Sequence, residues 1–581
     1  DIDDIHNLIR RIPGLNMSEE DGYGLRPNIG MRGSGSERSS KITIMEDGVL
    51  IAPAAYAASS AYYFPTAGRM EAIEIRKGSS QIKHGPRTNG GALNLISTQI
   101  PGELRMNGTL VTGSHKNRKL HLNIGDSYRN AGWVIETYQS GSEGFKEIDG
   151  AVNNDSGFHI KDYMGKFRIN SAPERKLYHE LEFKLGKTEQ QSNETYLGLT
   201  TSDFGANPWR RYAASQQDVF KSNHEQYQVR HFVTGPGNWN FVTTIYRNNF
   251  ARNWKKLQSI QGSKLSNIFG DSASSAALLQ IAKGGTSQPG DLKLRHNNRK
   301  YTSTGVQTVF GFTPEWDDSR HHFEMGLRFH EDREDRLQQE DSYQMKSSRL
   351  KLTSEGLPGS QANRLSTAEA LAFFVQDEYR WERLTITPGF RFERIQLARN
   401  DFSKKDPSRD RGPTKVKPNK LDVFVPGIGV HLELTQHWGI FGGLHRGFSP
   451  PGPGSNEDTS PEESLNYEFG VRHAGSVSAS ATVFYNDYTN LLGADTLSSG
   501  GTGEGDLYNG GQAKVFGLEL SADSDLGRIW NTPFSIPLLF SYTFTDAEFL
   551  SSFESDFDPW GNVHSGDSLP YIPQQQIYTS I

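Results

Sequence analysis

From Gly102 to the last residue, apolar and polar side chains alternate one by one. Leu181, Phe183 and Leu185 alternate with Glu180, Glu182 and Lys184, and Phe323, Met325, Leu327 and Phe329 with His322, Glu324, Arg328 and His330. The same holds for Leu384, Ile386, Phe390 and Phe392, and for Leu465, Tyr467, Phe469 and Val471. Phe534, Ile536, Leu538, Phe540, Tyr542 and Phe544 line one face of a further segment. A period of two puts the apolar residues on one face of a strand and the polar ones on the other. About eighteen such segments fit between Gly102 and Ile581, many of roughly 11–15 residues, where ~5–6 is usual in soluble sheets and ~9–11 spans a bilayer with tilt.

The connections alternate in length. Gly235-Pro236-Gly237, Thr435-Gln436 and Gly475 mark tight turns. The stretches 191–221, 253–299, 334–365, 398–419, 449–462, 490–510 and 550–570 read as long loops. Short turns on one rim and long loops on the other are the layout of an outer-membrane barrel. A soluble β-sandwich or propeller also alternates, but it does not need strands this long or two classes of loop.

The first hundred residues differ. Ile5–Ile12 has a short helical pattern broken by Pro13-Gly14, and Lys41–Asp47, Met70–Lys77 and Ala92–Ser97 read as short strands between Gly-rich turns. This predicts a compact α+β unit at 1–101, followed by a large antiparallel barrel at 102–581.

Composition fits that division. The 581 residues carry 62 Lys+Arg against 68 Asp+Glu, a net charge of −6, with 60 Gly and no Cys. The absence of Cys excludes disulfide scaffolds, Cys-ligated metals and thiol catalysis. No apolar run reaches the ~18 residues of a spanning helix, and the charge balance gives no pull toward nucleic acid. There is no GxSxG, HExxH, Walker or GxGxxG sequence, so no enzyme is expected, and no cofactor. Gly500–Gly505 reads as a flexible loop. His322 and His330 share a face but lie eight residues apart along a strand, roughly 26 Å, too far to hold one metal ion; no metal site is expected.

Several motifs carry a family resemblance: Ile12–Leu15 (IPGL), Asn28–Gly33 (NIGMRG), Glu46–Val49 (EDGV), Met70–Ser97 with its Arg-x-Gly turn and its GP…GG turn, and Ser464–Arg472 (SLNYEFGVR) after Pro461-Glu462. Together they resemble the plug and barrel of TonB-dependent outer-membrane transporters, with His84 standing where Tyr or Phe is usual. The resemblance implies a 22-stranded family barrel of which about eighteen strands lie here, the C-terminal ones lying beyond Ile581. It implies a plug whose structural residues are Arg32, Gly33, Asp47, Gly48, Arg76, Gly78, Gly85, Gly90 and Gly91. The chain opens at Asp1 without initiator Met or signal peptide and stops mid-strand at Gln574–Ile581. The resemblance also implies TonB as partner, through a segment before Asp1.

Within the family, Asp21–Gly33, Ile51–Tyr63 and Asn193–Ala213 resemble the ferric-citrate receptor branch. The place of a ligand-touching Gln in that branch falls near Ala58, so the resemblance implies a ferric chelate, siderophore or ferric-citrate-like, as cargo. Zinc, cobalamin, haem or a saccharide are the alternatives within the class, and a passive porin or an adhesin outside it. In the family, ligand binds at plug apices and the inner faces of outside loops, which makes Tyr23, Arg26, Tyr56, Ser59, Tyr62 and Tyr63 the candidate ligand residues. Tyr with Arg suits an anionic, partly aromatic chelate. Arg32, Arg76 and Arg87 are expected to pair with lumenal carboxylates such as Glu324, Glu393 and Glu468. The stretches 253–299 and 398–419 are net basic, and a basic mouth either steers an anionic ligand or meets lipopolysaccharide phosphates. A monomer in the outer membrane of a Gram-negative cell is expected.

Overall fold

The computed structural model describes residues 4–150, 155–193, 196–270, 272–316, 319–455, 460–494, 507–555 and 560–581. Gly500–Gly505, Asp1, Asp271 and part of 193–213 lie outside them. From Arg105 onward, eighteen long strands make one antiparallel ring. Each strand is bonded to the next in sequence, from Arg105–Thr112 with Arg118–Tyr128 through to Pro537–Phe549 with Gln575–Ser580. Every residue of the first strand, Arg105–Thr112, is exposed.

The alternation is realised as read. Leu185, Ile245, Leu327, Phe424 and Phe469 project outward and are 47–61% exposed, a continuous apolar belt. Their neighbours Lys184, Thr244, Arg328, Val425 and Glu468 point inward, where the lumen is filled. Among the described residues no helix is long and apolar enough to cross a membrane; the strands are what span it. Hairpins on one rim turn sharply through positive φ at Arg129, Asn238 and Glu382, which matches the right-handed twist of the strands they join.

Three expected loops are shorter than read. Trp239–Ile260 and Ser319–Lys346 run 22 and 28 residues as unbroken strand, and Pro413–Glu433 takes up part of 398–419. Above the lipid the outward face turns polar as well, so the alternation fades while the hydrogen-bond ladder continues. Lys255 and Lys256 are therefore wall residues. Phe534 and Ile536, conversely, precede the strand they were grouped with, which starts at Pro537. Over the mouth, helix Ala273–Ala282, capped by Ser272, packs Leu278 and Ile281 against Leu257, Ile260, Leu292 and Tyr343.

The N-terminal unit sits inside the ring. Helix α1 (Ile5–Ile9) leads to the pair β1 (Leu15–Ser18) and β2 (Asn28–Met31). The strands β3 (Thr43–Glu46), β4 (Val49–Leu50), β5 (Met70–Arg76) and β6 (Ala92–Ser97) form a sheet in the order β4-β3-β6-β5. Its core of Ile29, Ile44, Leu93 and Leu95 is continuous with wall residues Phe250, Ile395 and Val425. The pair β1–β2 had not been read, since its four-residue strands are too short to show a period.

If the outward face meets lipid, Leu327→Arg should cost ~2–4 kcal/mol near the bilayer midplane, while lumenal Glu324→Gln, which loses a half-exposed pair with Lys83, should cost about 0–1 kcal/mol. Refolding into lipid vesicles against urea measures both, and equal costs would contradict the orientation.

Candidate functional site

The plug is held by buried ion pairs rather than by grease alone. Arg32, just after β2, donates from Nε to Glu519 at 2.9 Å and from Nη1 to Glu468 at 2.8 Å. Lys77 Nζ reaches the other Glu519 oxygen at 2.9 Å, and the Ser79 N–H donates to Glu468 at 3.1 Å. Gly78 has φ +67, and a Cβ there would strike the Glu468 carboxylate; only glycine lets the turn come this close. Gly33 likewise stands against Val515, Gly85 beside Arg391 and Glu393, and Gly90 and Gly91 against the Lys41 and Arg76 backbones.

A second cluster lies across the plug. Glu46 accepts from Arg69 at 3.0 Å and Lys184 at 2.6 Å, Asp47 accepts from Lys184 at 2.6 Å, and Arg69 reaches Asp162 at 3.1 Å. Asp47 and Gly48 make the tight turn into β4. Burial pushes the Glu46 carboxyl up, but the Arg69 and Lys184 charges outweigh it and hold it well below the ordinary range.

The expected pairing of Arg32 with Glu468 is present; those of Arg76 and Arg87 are not. Arg76 is exposed at the end of β5. Arg87 is buried with its Nε unpartnered, and burial takes it down to about 10. Glu324 takes Lys83 at 2.8 Å instead, and Glu393 takes Arg391 at 2.6 Å. Alternation fixes which face a carboxylate occupies, but not its height in the lumen. His322 bonds Thr313, and His330 lies buried between Tyr246 and Asp332; no group of metal ligands forms among the described residues.

Toward the long-loop rim lies a basic–aromatic box. Its centre is Trp254, fully buried on the wall. Arg26, Arg38 and Lys256 lie over its ring at 4.9, 5.6 and 5.2 Å, with Phe220, Tyr196 and Tyr62 edging it. Tyr62 in turn carries Arg252 at 3.7 Å and Arg299 at 5.8 Å. Arg38 pairs with Glu20 and also bonds Tyr196, Arg26 pairs with Asp21 at 3.8 Å, and Arg299 pairs with Glu334. Arg252 and Lys256 are buried and form no ion pair among the described residues; Arg252 Nε and Nη2 have no hydrogen-bond partner. A vestibule of about 470 Å³, lined by Glu20, Lys146, Tyr196, Leu199, Phe204 and Arg211, opens above.

Of the six expected ligand residues, the structure brings Arg26 and Tyr62 into this box. Tyr23 packs on Phe145 and Phe158 nearby. Tyr63 stacks on His224 at 3.7 Å. Tyr56 is tied into the wall, donating to Glu393 and accepting from Arg328, both at 2.9 Å. Ser59 is half-buried. Lys256 and Arg299 belong to the stretch read as a basic mouth loop; Arg38, Tyr196, Arg252 and Trp254 are not among the expected ligand residues. Three of them carry a signal: Arg252, Trp254 and Lys256 continue the inward series Tyr246, Asn248, Phe250 at spacing two.

A plugged, membrane-spanning β-barrel is the class of protein this defines. The model of the TonB dependent receptor-like β-barrel matches residues 180–580 and that of the TonB-dependent receptor plug domain residues 1–92. The chain belongs to the TonB-dependent receptor family, whose members are outer-membrane barrels. Among solved structures, the ferric citrate transporter FecA in its unliganded form superposes with a TM-score of 0.75 at 19% identity, over 98% of this chain and 78% of that one. The ferric enterobactin receptor PirA of Pseudomonas aeruginosa is 22% identical over 89% of this chain and 70% of its own length. The vitamin B12 transporter BtuB of Photobacterium profundum is 28% identical over 27% of this chain, a match spanning 28% of BtuB.

Breaking the plug lock should be costly. Arg32→Ala leaves Glu468 buried without its cation and Glu519 with Lys77 alone, a loss of about 3–5 kcal/mol, read as earlier plug release in urea by limited proteolysis. Acid should act in the same sense. Burial, with Lys83, Arg391 and Arg76 nearby, takes the His84 imidazole down to about 3. A folded value below the unfolded ~6.5 means His84 contributes stability in full above that pH and loses it as pH falls toward 3. His84→Tyr should therefore flatten plug stability between pH 6.5 and 4, measured by the same proteolysis; an unchanged profile would contradict the assignment.

Proposed function

We propose that this protein captures an anionic ferric chelate, siderophore or ferric-citrate-like, at the box under its mouth and admits it to the periplasm, driven through TonB. In this reading residues 1–101 act as the plug and 102–581 as the barrel of a monomer set among lipopolysaccharide, and no reaction is catalysed. The observation that carries it is the pair Arg252 and Lys256: two buried cations among aromatic faces that form no ion pair among the described residues, Asp218 being the one carboxylate that acts on Lys256. Burying an unpaired cation costs several kcal/mol, a cost that an anion entering the box would offset. Guanidinium, ammonium and tyrosine edges also suit the carboxylate or catecholate oxygens and flat rings of iron chelators. FecA and PirA, by their names ferric-chelate proteins, support this cargo class.

A charge-assisted contact in such a box is worth ~1.5–3 kcal/mol, so Lys256→Gln should weaken chelate binding roughly 10- to 150-fold at about 1.4 kcal/mol per decade. The measurement is fluorescence-quenching titration of the detergent-purified protein with ferric citrate, ferric catecholates, cobalamin and haem, alongside uptake. Tight binding of cobalamin or another uncharged cargo, with no ferric chelate bound, would overturn the proposal.

A further inference from the structure

The basic–aromatic box is roofed by one of the protein's own carboxylates. Glu20 lies on the apex segment between β1 and β2. One of its oxygens, Oε2, accepts from Arg38 Nη2 at 2.5 Å and from the Tyr196 hydroxyl at 2.9 Å. The other, Oε1, is buried and has no hydrogen-bond partner. Glu20 also lines the vestibule, so it stands between the entrance and the cations beneath.

Glu20 supplies a single anionic oxygen to Arg38 and leaves the second buried without a hydrogen bond, a costly arrangement for a polar atom. Glu46 Oε2 is in the same state at the plug's waist; what sets Glu20 apart is its place on the vestibule, within reach of an entering anion. Glu20 sits at the edge of a set of five cations, Arg26, Arg38, Arg252, Lys256 and Arg299, two of which form no ion pair among the described residues. Its removal from the seat frees Arg38, and any carboxylate or phenolate oxygen that enters restores the lost contact atom for atom.

We infer that Glu20 is an internal stand-in for anionic cargo: it occupies the anion seat on Arg38, and an incoming chelate displaces it. The inference rests on the reading of the box as the cargo site, and it gives that site its selectivity. An anion must compete with Glu20, a bulky anion with several oxygens gains Arg252 and Lys256 as well, and a monovalent anion gains too little to displace it. Displacement also unpins the apex segment from Tyr196, so occupancy of the seat is coupled to the freedom of residues 19–24. The sign of the effect separates this from a merely structural roof. Removing the Glu20 charge strengthens anion binding if Glu20 competes, and weakens it if Glu20 only holds the box together.

The test uses the full chain in detergent, with metal-free citrate and ferric citrate as probes and tryptophan quenching as readout. Glu20→Gln should bind metal-free citrate roughly tenfold tighter than the parent, since a like charge has left the site. Glu20→Asp, with a shorter reach to Arg38, should fall between the two and serves if the Gln variant folds poorly. Glu20→Gln combined with Lys256→Gln should lose the gain, and Tyr196→Phe, which keeps the charge, should not show it. Citrate affinity unchanged or lowered in both Glu20 variants would overturn the stand-in, as would a gain that survives the loss of Lys256. If ferric chelates bind the parent but neither Glu20 variant changes citrate affinity, the stand-in falls and the cargo reading stands. If the citrate gain appears while no ferric chelate binds or is taken up, the stand-in stands and the cargo reading falls.

Discussion

A sheet that closes on itself in lipid must turn its apolar side chains outward, because only there do they leave water. The inward face of the strands is then free to carry charge, and much of what fills the lumen binds to it, although Phe250, Ile395 and Val425 also carry the plug's apolar core into the wall. That inversion decides how this protein is held together. The plug has a small apolar core of its own, but its polar contact with the wall runs through Arg32 with Glu468 and Glu519, through Glu46 and Asp47 with Lys184, and through Lys83 with Glu324. Buried ion pairs add little net stability compared with apolar packing, yet they are strongly directional and costly to leave half-made. A plug seated on them has one orientation, and can leave its seat only if whole pairs separate together.

The same logic explains how far the sequence could be read. Period two is a local property, so the facing of Leu327 and Arg328, or Phe469 and Glu468, is legible residue by residue, and so is the number of long strands. Plug motifs are legible because they are turns: the chain near Gly78 passes so close to Glu468 that a side chain has no room. Partners across the lumen are not legible. Arg32 meets Glu519, 487 positions away, and nothing local distinguishes Glu519 from Glu393 as its mate. Arg76, identical in type, ends on the exposed end of β5 instead.

The box was missed for a further reason. The strand Trp239–Ile260 outruns the membrane, and above the lipid its outward face becomes polar too. Alternation fades as a signal here, and Trp254 and Lys256 fall in the stretch 253–299 that reads as loop, with Arg252 just before it. Extending the inward series by three more positions would have recovered them. Strands that continue past the point where their pattern fades are a physical expectation for such a barrel, since the hydrogen-bond ladder does not depend on what the side chains face.

Two kinds of buried charge therefore coexist inside one wall. Around the plug's waist, Arg69, Lys184 and Lys77 are each matched to carboxylates at close range, which fixes position. Beneath the mouth, matching is incomplete: Arg252 and Lys256 lean on Tyr62, Tyr196 and Trp254 and form no ion pair among the described residues. Aromatic faces attract a cation without neutralising it. They keep the box charged and folded at once, so the field remains available to an anion arriving from outside. A box closed by carboxylates alone would be more stable and would have nothing left to offer. The gradient from matched charge at the waist to less fully matched charge at the mouth separates a fastening at one end of the lumen from the proposed anion seat at the other.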